Sequence, residues 1–101
     1  MTKAEAIELE NRCDKIMSGY LGKSCTVSMA LSGRSKLKIT FGDGDYITWK
    51  MLGNHVDYIN YVGPYSYLEE DIDNIQYCMN ENYDIFKDLM WSYEHRGELE
   101  E

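Results

Sequence analysis

Apolar residues recur along this chain with two different periods, and the changes between them divide it into helix, sheet and helix. Ala6, Leu9, Cys13, Ile16 and Tyr20 follow one another at alternating spacings of three and four, with Ile7 and Met17 beside them. That is the stripe of an amphipathic helix. Thr2 and Glu5 stand in capping-box positions at its start, and Gly19 or Gly22 supplies a stop. Glu8 and Arg12 form an i,i+4 pair on the other face, with Lys15 beyond. The pattern predicts a helix over residues 3 to about 21.

From Cys25 the period becomes two. Cys25, Val27, Met29 and Leu31 alternate with small polar or short residues, then Leu37, Ile39 and Phe41 do so, then Ile47, Trp49 and Met51. Ser32-Gly33-Arg34 and Gly42-Asp43-Gly44 separate these runs as short turns. In antiparallel register Val27, Ile39 and Ile47 line up on one face, opposite to Lys36, Lys38, Thr40, Tyr46, Thr48 and Lys50. Leu52 to Val62 reads as a fourth strand with mixed faces, because Val56, Tyr58 and Val62 alternate with Asp57, Ile59 and Tyr61.

Gly63-Pro64 breaks the chain, and Ser66 with Glu69 repeats the capping-box pattern. Leu68, Ile72, Ile75, Met79, Phe86, Leu89 and Tyr93 then continue one apolar seam from 67 to about 96, interrupted by Asn82. The segment is one long helix or two helices parting near Asn80-Glu81-Asn82, and typical helix lengths favour the break. The acids from Glu98 to Glu101 oppose the negative end of the helix dipole and predict a frayed tail over 97–101. The expected architecture is α+β in a single domain spanning 1–101: an N-terminal helix, a three- or four-stranded antiparallel sheet, and one long or two shorter C-terminal helices on its apolar face. Its core is expected from Ile7, Leu9, Ile16, Val27, Met29, Ile39, Ile47, Trp49, Leu68, Ile72, Ile75, Met79, Phe86 and Leu89.

Charge changes this picture. Residues 57–101 hold 12 of the 18 carboxylates but only Lys87 and Arg96, whereas residues 1–56 hold 6 carboxylates and 8 basic groups. A net charge of −8 works against adhesion to nucleic acid or anionic membrane, both of which need cationic surface. Apolar runs are far shorter than the roughly 20 residues of a membrane-spanning helix. Three cysteines without CxxC spacing, and an N-terminus lacking a basic, apolar, small-residue leader, point to the reducing cytoplasm. No cofactor is expected.

Along a continuous C-terminal helix Glu70, Asp73, Tyr77, Glu81, Asp84 and Asp88 would fall at spacings of three and four and form one stripe. Neighbours about 5 to 6 Å apart on such a face approach the phosphate spacing of a nucleic-acid strand. The plain alternative is a solvated helix face. Tyr58, Tyr61, Tyr65 and Tyr67 gather around Gly63-Pro64, as a partner-binding patch or as ordinary cover for the sheet edge. Lys36, Lys38 and Lys50, with Arg34 and Tyr46, make a basic strip with too few cations to hold a polyanion against the acidic remainder.

Asp43 and Asp45 open like a calcium loop, but Asn54 stands where the twelfth-position acid belongs, so no metal site is expected. His55 and His95 lie in no zinc or protease motif, and no P-loop, GxGxxG or GxSxG is present. Cys78, beside core Met79, is read as a surface-edge thiol and the most accessible of the three. No catalytic residue is assigned.

In size, charge and motif content the chain resembles small acidic proteins of phages and mobile elements, such as anti-CRISPR and anti-restriction inhibitors. The resemblance implies a non-enzymatic inhibitor that occupies the nucleic-acid site of a basic nucleic-acid-binding protein or nuclease by mimicry. Two other readings fit the same residues. One is a small homodimeric regulatory module meeting its mate through the tyrosines or the Asn82 seam; the other is a ligand binder or small enzyme with a pocket marked by His55, Tyr58 and Tyr61.

Overall fold

A computed structural model describes residues 1–29, 36–42, 44–62 and 69–100, with only the backbone described at 69 and 70. The elements are α1 (Lys3–Leu21), β1 (Cys25–Met29), β2 (Lys36–Phe41), β3 (Tyr46–Met51), β4 (Val56–Val62), α2 (Glu69–Glu81) and α3 (Tyr83–Glu94), followed by a 3-10 turn at Arg96–Glu98. The four strands form one antiparallel sheet in chain order, and the helices cover its apolar face. The α+β architecture is therefore the one its periodicities predict. No helix among the described residues is long and apolar enough to cross a membrane.

The capping box closes α1 at its start: the Glu5 N–H donates to Thr2 Oγ1 and the Thr2 N–H to Glu5 Oε1, both at 3.1 Å. Gly22, at φ 69°, ends the helix in the left-handed conformation that glycine adopts without strain. Ala6, Cys13 and Met17 form its buried line. Ile7, expected in the core, is 55% exposed, because it stands about 100° around the helix from Ala6 and off that line.

Val27, Ile39 and Ile47 are cross-strand partners as expected, and the turn after β2 uses Gly44 at φ 93°, whose N–H donates to the Phe41 carbonyl. Met29 departs from expectation at 39% exposed, since it ends the edge strand at a corner of the sheet. The turn at 32–34, the Ser66–Glu69 box and Leu68 lie outside the described residues.

The mixed faces of β4 have a simple cause. Trp49 pairs with Tyr58 and Thr48 with Asn60, so Ile59 is an extra residue in a bulge. Before it, Val56 and Tyr58 share the inner face with Met51 and Trp49. After it, Tyr61 takes the inner face opposite Ile47, and Val62 points outward opposite Tyr46.

The two helices after the sheet part at Asn82, whose φ and ψ of −111° and 31° are not helical. Its side-chain Nδ2 donates to the Cys78 carbonyl at 2.8 Å, and the Asn82 backbone N–H donates to that same oxygen. A polar residue in the apolar seam thus marks the end of one helix and the start of the next. Ile75, Cys78, Met79, Phe86 and Leu89 are fully buried against Leu37, Ile39, Ile47 and Trp49. Each such aliphatic or aromatic side chain contributes about 1.5–3 kcal/mol. Cys78 is therefore a core thiol and not the accessible edge residue expected, because α2 packs against α1 as well as the sheet, widening its buried arc.

Of the tail expected to fray, residues 97–100 are described and lie against α1, while Glu101 lies outside the described residues. The Lys3 N–H donates to the Glu100 carbonyl at 2.7 Å, Leu99 is buried in a pocket with Ala6 and Ile7, and Arg96 pairs with Glu10. Burial of one leucine outweighs dipole repulsion of about 0.3–1 kcal/mol.

The sheet's edges are finished differently. On β1 the N–H of Cys25 donates to Ser18 Oγ at 3.3 Å and that of Val27 to Asp14 Oδ1 at 2.7 Å, while Tyr93 Oη donates to the Val27 carbonyl at 3.2 Å. On β4 such cover is described only at Val56, whose N–H donates to Asn80 Oδ1 at 2.8 Å and whose carbonyl accepts from Gln76 Nε2 at 3.0 Å.

Candidate acidic and aromatic surface

The break at Asn82 places Glu70, Asp73, Tyr77 and Glu81 on α2, and Asp84 and Asp88 on α3. They do not share one helix face. The Glu70 side chain lies outside the described residues; Asp73, Tyr77, Glu81, Asp84 and Asp88 are all exposed. The ion pairs among described side chains join Lys23 to Asp71, His55 to Asp57 and Arg96 to Glu10. None of them neutralises Asp73, Glu81, Asp84 or Asp88.

Tyr77 is 57% exposed and its ring lies 6.4 Å from that of Tyr20 on α1. The nearby Glu81 carboxylate raises the pKa of its phenol. Tyr20 is also raised, first by burial and then by Glu81. Both phenols therefore stay protonated and able to donate through the neutral range. Periodicity had assigned Tyr20 to the buried stripe of α1, yet it is 43% exposed and joins the acidic surface. Nothing local in the sequence signals this pairing, which depends on α1 lying against α2.

Asp88 lies beside Leu9 and Arg12 at the groove between α3 and α1, with Glu5 and Glu8 on the opposite bank. The acidic surface thus extends across two helices into α1. Asp84 sits in the first turn of α3, beside Glu81 and Asn82.

Of the tyrosines expected to gather near Gly63-Pro64, the two described, Tyr58 and Tyr61, have separate contacts. Tyr58 is 40% exposed and meets Trp49 edge-on, with ring centroids 5.6 Å apart. Tyr61 is half-buried and donates from its hydroxyl to Asp45 Oδ2 at 2.8 Å, so both residues of this pair serve the fold. Tyr65 and Tyr67 lie outside the described residues.

On the outer sheet face Lys36 and Lys50 are cross-strand partners and Lys38 Nζ sits 4.9 Å from the Tyr46 ring centre. Lys50 faces Asp57 on β4. Arg34 lies outside the described residues.

A second feature had no sequence signal. Trp91 is 45% exposed and stacks on His95 with centroids 4.2 Å apart. It borders a cleft of about 360 Å³ between α3 and the β3–β4 turn, with Leu52, Gly53, Tyr83, Lys87 and Glu94. Tyr83 Oη donates to the Leu52 carbonyl and anchors the cleft floor.

The thiols are held in the core. Burial pushes Cys13 up to about 12 and Cys78 up to about 11, and it raises Cys25 as well. His55 lies in the β3–β4 turn, its ring bonded to Asn54 at 2.6 Å and facing Asp57 at 3.4 Å. No group of three potential metal ligands forms among the described residues. Neither family models, nor curated proteins, nor solved structures gave a match to this chain.

Proposed function

We propose that this is a non-enzymatic binding protein whose acidic, aromatic helical surface occupies the nucleic-acid site of a basic protein or nuclease, inhibiting it by occlusion in the manner of anti-CRISPR and anti-restriction inhibitors. The observation that carries this reading is the set of exposed carboxylates Asp73, Glu81, Asp84 and Asp88, joined by none of the described ion pairs, with Glu81 beside the Tyr20–Tyr77 pair. Charges left unpaired in solvent project a negative field and steer a cationic surface toward them. The two phenols add contact area at small entropic expense and donate hydrogen bonds. The break at Asn82 makes the mimicry a bent, two-segment surface in place of a straight stripe.

The test is loading of a fluorescent duplex onto nuclease effectors of the native host in the presence of the protein, measured by anisotropy at low and high salt. Occlusion predicts reduced loading that weakens as salt rises. It also predicts loss of inhibition when Asp73, Asp84 and Asp88 become Asn and Glu81 becomes Gln. Unchanged loading across the effectors would refute the reading.

A further inference from the structure

We propose that the outer edge of β4 is a second contact for the same partner, receiving an extended basic segment of it as a fifth strand. The inference rests on the reading above that the partner is basic. It starts from the inequality of the two sheet edges. An unpaired strand edge is a template for another chain, and proteins cover, shorten or charge such edges. Here the β1 edge is covered at both Cys25 and Val27, by Ser18, Asp14 and Tyr93.

On the β4 edge the cover found among the described residues is that of Val56. Leu52 donates to the His55 carbonyl, so 52 and 55 form a hydrogen-bonded pair. By the alternation of an antiparallel ladder, the main-chain groups of Val56 and of Tyr58 then face away from β3. Asn80 and Gln76 meet those of Val56. Among the described residues nothing meets those of Tyr58. The side chains around this gap are apolar and open: Tyr58 at 40%, Ile59 at 41% and Val62 at 40% exposed.

Charge selects the occupant. Asp57 lies on the strand itself, exposed, and Asp73 is exposed on the same face of α2 as the edge-capping Gln76 and Asn80. A strand added beside β4 would thus find a carboxylate above the sheet and another below it. Lys50 lies across from Asp57 on β3, one strand farther from the edge. A second copy of this chain is disfavoured, since each carries −8 and two would bring like charge together along the same edge. A segment alternating lysine or arginine with small apolar residues satisfies the main chain, covers Ile59 and Val62, and faces both acids.

The probe is a fluorescein-labelled ten-residue peptide alternating lysine with valine and threonine, measured by anisotropy against the full chain. Its control carries N-methyl groups on the amides of the pairing edge, which keeps the charge and blocks strand addition. Strand addition predicts that the control binds about tenfold more weakly or worse, because each blocked amide removes a main-chain bond. It also predicts slowed amide exchange at Tyr58 in the complex, and loss of binding in Tyr58→Pro, whose missing N–H faces outward where an edge strand tolerates proline. Equal binding of both peptides would overturn strand addition and leave acidic-surface binding standing. No binding of either would also overturn it, while the duplex-loading test decides the occlusion reading separately. A wild-type dimer in sedimentation that Tyr58→Pro returns to monomer would overturn it by assigning the edge to a second copy.

Discussion

Asp14 gives the sharpest test of how this fold protects its sheet. It lies on α1 and its Oδ1 accepts the Val27 N–H at 2.7 Å on the outer edge of β1. A hydrogen bond to a charged acceptor contributes about 1.5–3 kcal/mol. The lower part of that range applies here because Asp14 is only partly buried. Asp14→Ala removes the acceptor and regains a few tenths of a kcal/mol of helix propensity, for a net loss of about 1–1.5 kcal/mol. Asp14→Asn keeps an oxygen in place and removes the charge, so its loss at neutral pH is smaller.

The pH dependence separates the two causes. Burial first, and the charge of Glu10 after it, raise the Asp14 pKa, while the bond from Val27 lowers it; the net shift is upward. A carboxyl whose folded pKa is raised contributes stability that is full below its unfolded pKa and is lost as pH rises through the folded value. Wild type therefore loses stability relative to Asp14→Asn as pH climbs from about 4 toward neutrality. Urea unfolding at several pH values measures this. With m of about 1.5 kcal/mol/M, the alanine variant shifts the midpoint down by somewhat under about 1 M at pH 7. Equal midpoints for the alanine and asparagine variants at pH 7, or wild type gaining on asparagine with rising pH, would refute the argument.

Two further outcomes follow from the same structure. At pH 8 and without denaturant, Cys13, Cys25 and Cys78 resist a disulfide reagent, since all three are buried and held as thiols; in urea all three react, with the reagent's chromophore counting them. In the C-terminal tail, Leu99→Ala lowers stability by about 1–2 kcal/mol, toward the lower end for a leucine at the surface of a core. Arg96→Ala, which loses an exposed pair with Glu10 and a ring contact with Tyr93, changes it by under about 1 kcal/mol. Thermal unfolding followed by circular dichroism ranks the two.

Periodicity carried the elements because one face of each is buried and the other is not. Val27, Ile39 and Ile47 announce their register, and Thr2 with Glu5 announces the start of α1. What escaped is what depends on a neighbour. Ile59 inserts one residue into β4, and a test for alternation fails at that point even though both halves of the strand obey it. Cys78 is buried because α2 has two neighbours, and a single apolar stripe does not report a second contact. Leu99 is held by Ala6 and Ile7, more than 90 positions earlier in the chain. The acids of the proposed surface were legible as spacing on each helix, and Asn82 in an apolar seam marked the break between them. Their association with Tyr20, and the open cleft beside Trp91, arise only once α1 and the β3–β4 turn meet the C-terminal helices.

The break at Asn82 also makes the carboxylates beside it unequal. Glu81 is the last residue of α2, a helix with no basic residue in its final turn, and there its charge opposes the negative end of the dipole. Asp84 lies three residues on, but in the first turn of α3, where N–H groups present the positive end and favour the same charge. In one continuous helix Glu81 and Asp84 would be interior neighbours that only repel. Restarting the helix relieves Asp84 and leaves Glu81 unfavoured. A cationic partner would therefore stabilise the protein most at Glu81. On the proposed occlusion reading, stability and binding pull in opposite directions at Glu81 and in the same direction at Asp84, so the end of α2 is where selection for folding alone would first remove a negative charge.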